Sequence, residues 1–138
     1  MDDETARVAR RVARSCLGMR VRLLNRVLST IYDDALRPLG LSCAQLNLLV
    51  ALGVRGRVPA AELGRLLRIE KSTLSRNLRR LTQERWITAD PEIALAPAGA
   101  DLLRRAMPGW RQAQRRARTL LGPAGARALA RSAERARG

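Results

Sequence analysis

Residues 65–86 read "RLLRIEKSTLSRNLRRLTQERW", seven cationic side chains against two acids, with leucines spaced regularly through them. A tight turn at Arg68–Glu70 separates a helical pattern ending near Leu67 from a second one running from about Lys71 to Glu84. In the second, Leu74, Leu78 and Leu81 stand at i, i+4 and i+7 and form one narrow seam. At about 100° per residue, Ser72, Arg76, Arg79 and Gln83 fall opposite that seam, with Arg80 and Thr73 on one flank and Ser75 on the other. Two helices joined by a short turn, the second with small hydroxyls near its start and arginines on its outer face, form a helix-turn-helix pattern. Small residues let the backbone approach a DNA groove, serine and threonine bond phosphates or base edges, and arginine reads guanine O6 and N7 together. A merely solvated helix in this chain would also carry arginines. It would have no reason to align them with hydroxyls behind a correctly spaced preceding helix.

The surrounding composition is consistent with that reading. The chain has 138 residues and a formal net charge of +15, which points to a polyanionic partner. Lysine occurs once and every other cation is arginine, a bias that genomic base composition also produces, so position has to carry the argument rather than charge. No apolar run reaches membrane-spanning length, and the N-terminus has no apolar core of the secretory kind, so the expectation is a cytoplasmic protein with no membrane partner. With no histidine, no Gly-rich phosphate loop and only two distant cysteines, Cys16 and Cys43, nothing supports an enzyme, a metal site or a cofactor. Phenylalanine is absent, which argues against a platform that stacks single-stranded bases.

Outward from the opening stretch, Val8, Val12, Cys16, Met19, Leu23, Val27 and Ile31 fall three or four apart. The spacing predicts one helix from Thr5 to about Leu36, long enough that its stripe should be covered partly by another subunit. "RPLGLS" (37–42) is a break with Ser42 as N-cap, and 43–54 is a mostly apolar short helix. Pro59 opens the helix that ends near Leu67. "WITAD" and "EIAL" predict a small hairpin, after which a helix restarts at Pro97 and runs toward Leu121 with a kink at Pro108-Gly109. "GP" at 122–123 breaks the chain before a last Ala/Arg-rich helix.

The segments "YDDALRPLGLSCAQLNLL" (32–49), "AAELGRLLRIEKSTLSRNLRRL" (60–81) and "LAPAGADLL" (95–103) together resemble the MarR family of winged helix-turn-helix transcriptional regulators. The resemblance implies a mainly α fold: a winged helix-turn-helix at 42–95 with a small β-hairpin wing, flanked by dimerisation helices at 1–36 and 97–138 in one MarR-like domain. It further implies a homodimer on double-stranded DNA, a pseudo-palindromic operator with half-sites about one helical turn apart, and a repressor role. Carried over by position, Lys71, Ser72, Thr73, Ser75 and Arg76 are the DNA-facing residues. Arg79 and Arg80 are added from the helical wheel, as phosphate contacts.

Two features depart from the family pattern. Its wings usually carry a basic tip that enters the minor groove, whereas "ADPEI" here holds Asp90 and Glu92 and no cation, so the wing should contribute little to binding. Arginine at 85 replaces a common glycine: either the backbone there is left-handed at a cost, or the helix runs one residue further.

Family members commonly sense small aromatic ligands or the oxidation of a cysteine in the first helix. Cys16 lies on the first helix, but the reactive cysteine of the peroxide-sensing branch aligns nearer Gly18, and its neighbouring aromatic motif is missing. On the apolar stripe an inert buried thiol is the commoner case; a redox-sensing Cys16 requires partial exposure near Arg14 and Arg20. Trp110 is either a pocket wall for an unidentified small-molecule effector or a packed core residue. Two other functions remain open at this stage: a non-specific architectural nucleic-acid protein living on its charge, and a winged-helix interaction module that has lost operator binding.

Overall fold

The first helix opens where an acid meets free backbone donors: the Asp2 carboxylate accepts the Thr5 N–H at 2.6 Å, with Asp3 and Glu4 in the first turn. The computed structural model describes residues 1–138. In chain order these form α1 (Asp3–Ser15), α2 (Leu17–Leu36), α3 (Cys43–Arg55), α4 (Ala60–Leu67), α5 (Lys71–Gln83), β1 (Ile87–Thr88), β2 (Ala94–Leu95), α6 (Pro97–Arg105) and α7 (Met107–Arg137). A 3-10 turn at Arg37–Leu39 joins α2 to α3. The architecture is mainly helical with one two-stranded antiparallel hairpin, and no single helix is long and apolar enough to cross a membrane.

The single helix expected from Thr5 to Leu36 is two. Cys16 adopts φ −70°, ψ 112° and ends α1 while starting α2. Three local features account for the break. The Ser15 hydroxyl bonds back to the Arg11 carbonyl at 2.8 Å, a contact that bends helices. Gly18 follows with its low helix propensity. The Arg20 guanidinium donates to the Arg14 carbonyl, which the interruption leaves without a helical partner. The apolar period runs on through the break, so periodicity alone does not reveal it.

A leucine-rich core forms where α3, α4, α5 and the hairpin meet. Leu48, Leu49, Leu52, Leu63 and Leu81 are essentially fully buried, joined by Leu36 from α2 and Leu102 from α6. Ser42 caps α3 by accepting the Gln45 N–H while the Gln45 side chain accepts the Ser42 N–H, a complete capping box. The Asp33 carboxylate adds a further acceptor there, taking the Cys43 N–H at 2.7 Å. The helix-turn-helix closes through Gly64, where an added Cβ would stand 3.1 Å from the Leu74 side chain.

The hairpin pairs Ile87 with Leu95 and Thr88 with Ala94. A third element joins it that the sequence pattern does not announce. Val58, in the loop before α4, exchanges two backbone hydrogen bonds with Ile93, at 3.0 and 2.9 Å. Both residues are nearly buried, so the hairpin is anchored to the loop ahead of α4.

α6 stops at Arg105 and α7 restarts at Met107, which moves the expected kink from Pro108-Gly109 to Ala106. Pro108 then occupies the first turn of α7, where its missing N–H costs nothing. At Gly109 an added Cβ would lie 2.9 Å from the Ala35 carbonyl, so glycine lets α7 press closely against α2. Tyr32 on α2 donates its hydroxyl to the Gln114 side chain on α7, tying the two helices together. The break expected at Gly122 is present, with φ 72° and ψ 164°, and divides α7 into arms 107–121 and 123–137.

Candidate nucleic-acid interface

The geometry of α5 follows from its seam. Leu74 is 6% exposed and Leu81 is fully buried, both in the core cluster, with Leu78 packed beside them. With that side fixed inward, Lys71, Ser72, Ser75, Arg76, Arg79 and Arg80 are exposed, and Thr73 is half-buried on the flank. All seven residues singled out from the sequence therefore lie on one helix, outside its packed seam.

Their partners differ. Lys71, Ser75 and Arg79 have no side-chain hydrogen bond or ion pair within the chain. Arg76 reaches the Thr73 hydroxyl at 3.4 Å, a long bond that leaves most of its donors free. Ser72 donates to the Glu70 carboxylate at 2.9 Å. Arg80 pairs with Glu84 at 3.1 Å and faces a crevice shared with Arg37, Ser42 and Gln45. The position of Arg80 thus sets it apart from the outward arginines. Glu70 and Glu84 are the residues that a wheel of cations and hydroxyls overlooks. The i, i+4 spacing of Arg80 and Glu84 is the signal that would have paired them.

Both helices of the motif end in the same way. Arg68 closes α4 at φ 51°, with Ile69 N–H donating to the Gly64 carbonyl at 3.0 Å. Arg85 follows α5 at φ 60°, with Trp86 N–H donating to the Leu81 carbonyl and Arg85 N–H to Thr82, each at 3.0 Å. This is the left-handed helix end usually filled by glycine. Of the two alternatives for Arg85 the left-handed one holds, and each arginine costs about 1–2 kcal/mol relative to a relaxed backbone.

The wing tip carries Asp90, exposed, and Glu92, half-buried, on a hairpin of two-residue strands. No cation lies between Ile87 and Leu95. Arg57 is exposed beside the Val58–Ile93 bridge and is the nearest cation along the neighbouring strand segment.

Cys16 is partly exposed at the helix break rather than sealed on a stripe, and no second thiol is bonded to it. Cys43 is also free, and burial followed by the nearby Asp33 carboxylate pushes its thiol pKa up, which favours the inert protonated form. Burial likewise raises the Tyr32 hydroxyl, with Cys43 adding to the rise and Arg118 opposing it. Trp110 does two things at once: it packs on the core and walls a cleft of about 550 Å³ with Asn25, Tyr32, Cys43 and Asn47 between α2, α3 and α7.

Comparison with known proteins agrees with this geometry. Residues 39–92 match the MarR family model. No curated protein sequence matches significantly. Among solved structures, the Mycobacterium tuberculosis transcriptional regulator MosR is 29% identical, with a TM-score of 0.75 over 88% of this chain and 96% of that one. A probable transcriptional regulator from Pseudomonas aeruginosa is 26% identical, with a TM-score of 0.77 over 89% and 98%. A Mycobacterium tuberculosis MarR family protein solved in complex with DNA is 26% identical, with a TM-score of 0.69 over 88% and 97%. Residues 39–92 thus carry the MarR family pattern, and the chain has the winged helix-turn-helix fold of the MarR structures it is similar to.

Proposed function

We propose that this chain is a dimeric, sequence-specific transcriptional regulator that binds double-stranded DNA through α5, acting as a repressor on a pseudo-palindromic operator. The observation that carries the reading is the outer face of α5: cations and hydroxyls exposed together opposite a buried leucine seam, on a fold that a relative brings to DNA. Lys71, Ser72 and Ser75 at the start of the helix approach the bases and phosphates, and Arg76 reads a guanine edge in bidentate fashion. Arg79 and Arg80 contact phosphates, which requires Arg80 to exchange Glu84 for the nucleic acid. The acidic wing tip stays out of the minor groove, whose negative potential opposes it.

Dimerisation is supported by apolar surface with nothing over it. Val8, Val12, Leu17, Met19 and Leu23 in α1 and α2 are between 48% and 76% exposed, and Leu120 and Leu129 in α7 are 51% and 43% exposed. Stripes of this kind at both ends of the chain are the regions we assign to the subunit interface, flanking the 42–95 lobe. Two copies would present two α5 helices to successive major grooves.

The test is binding of the purified protein to the DNA upstream of its own gene and to an unrelated duplex, across a salt series. The expected result is a preference of about a thousandfold or more that persists at physiological salt. Equal binding that vanishes for both duplexes together as salt rises, with no preferred site in a genome-wide search, would replace the regulator with an architectural protein.

A further inference from the structure

On the side of the lobe where α3 and α4 meet the second arm of α7, four arginines surround one open crevice. Arg55, Arg65, Arg68 and Arg137 line it, and no acidic residue does. None of the four forms an ion pair anywhere in the chain. Its floor is apolar and uncovered: Val54 is 79% exposed, Val50 42% and Leu66 41%. The space measures about 850 Å³, enough for a short length of helix rather than an ion alone. Four unpaired like charges around an apolar floor call for an occupant with an acidic end and an apolar side.

The chain carries such a segment. Asp2, Asp3 and Glu4 begin α1, and Val8 and Val12 stand one helical turn apart behind them. α1 buries none of its own residues, and Val8 and Val12 are 57% and 48% exposed. Within the chain Asp3 meets only Arg7 and Arg10, at 3.9 and 4.0 Å, with its side chain 90% exposed. Asp2 is held by its cap bond to Thr5, whereas Asp3 has only these long pairs and Glu4 has no ion pair within the chain.

We propose that the acidic start of α1 from a second copy docks in this arginine crevice, its carboxylates among the arginines and its valines on Val50, Val54 and Leu66. The inference rests on the dimer reading above and specifies one contact within it. Because α3 and α4 hold α5 in place, the contact would tie the partner's N-terminal helix to the angle at which α5 is presented.

Sedimentation of the wild-type protein comes first, followed by three variants checked for helical content: D3R/E4R, which keeps the Asp2 cap, R55E/R65E/R137E, and the two sets combined. Arg68 is left intact because its backbone is left-handed. Each single set should weaken dimerisation by about tenfold or more, and the combination should restore most of it. A monomeric wild type would overturn the dimer reading together with this inference. A dimeric wild type indifferent to either set would overturn the inference alone. Loss in the arginine set that the combination does not restore would also overturn it, and would assign the crevice to a small anion or to another protein.

Discussion

Leu81 and Val12 hold equivalent places in their sequence patterns, each on the apolar stripe of an amphipathic helix. Yet Leu81 is fully buried in the lobe, while Val12 in α1 is 48% exposed. The contrast extends to their surroundings. α3 alone buries Leu46, Leu48, Leu49 and Leu52, whereas α1 buries nothing and α2 only Leu36. The leucines of the lobe are buried within the chain, with Leu36 and Leu102 completing their core; the stripe of α1 is left uncovered. Identical periodicity thus carries two meanings: local core in one region and uncovered apolar surface, which we assign to the proposed subunit interface, in the other.

The largest test of that difference is a pair of truncations. Leu81→Ala should cost about 2–5 kcal/mol of unfolding free energy in urea, a loss that persists at every protein concentration. Val12→Ala should change the stability of dilute protein by less than about 0.5 kcal/mol and appear only as weaker dimerisation. Equal costs at low concentration would erase the distinction between the two regions.

The next test concerns the seam between them. At Gly99, in the first turn of α6, an added Cβ would stand 2.0 Å from the Trp86 carbonyl oxygen. Gly99→Ala should therefore cost about 1–3 kcal/mol, measured by thermal denaturation, because backbone rather than a pliable side chain has to move. A neutral result would mean that the lobe and α6 are joined more loosely than they pack.

Function adds a measurement of similar size. Arg76→Ala should lose about 1–3 kcal/mol of DNA affinity and relax the preference at one base pair while leaving dimerisation intact. If it weakened all sequences alike, Arg76 would join the role proposed for Arg79 and Arg80, contact with phosphates.

A smaller effect should have the opposite sign. Arg85→Gly removes a left-handed arginine and should stabilise the fold by about 1 kcal/mol, the gain offset in part by the freedom glycine has when unfolded. Smaller still, Asp90→Ala at the exposed wing tip should move stability by no more than about 0.5 kcal/mol in either direction. A large loss of DNA binding from that change would contradict the proposal that the wing stays out of the groove.

The lobe was the more legible region because its punctuation is chemical. Ser42, Pro59 and the Arg68–Glu70 turn each mark a helix end through a specific bond or a fixed φ, and the elements fall where those residues place them. Periodicity gave the face of α5, since the leucine seam leaves only one side outward. It did not give the pairing of that face: Ser72 turns to Glu70 and Arg80 to Glu84, choices set by side-chain reach. The break at Cys16 escaped because the stripe continues across it. The Val58–Ile93 bridge escaped because a single residue pair has no period to detect.

Lys71 opens a different use of the same surface. It is the only lysine in the chain, and it stands exposed as the first residue of α5. Apart from the amino terminus, an amine-directed reagent therefore has one target, and that target lies on the proposed interface. Acetylation there would remove one positive charge without touching the arginines, whose guanidinium groups such reagents leave alone. Protection of this single amine by bound duplex would report occupancy of the face directly, in the unmutated protein, and the acetylated form would be a ready-made variant with one fewer phosphate-seeking charge.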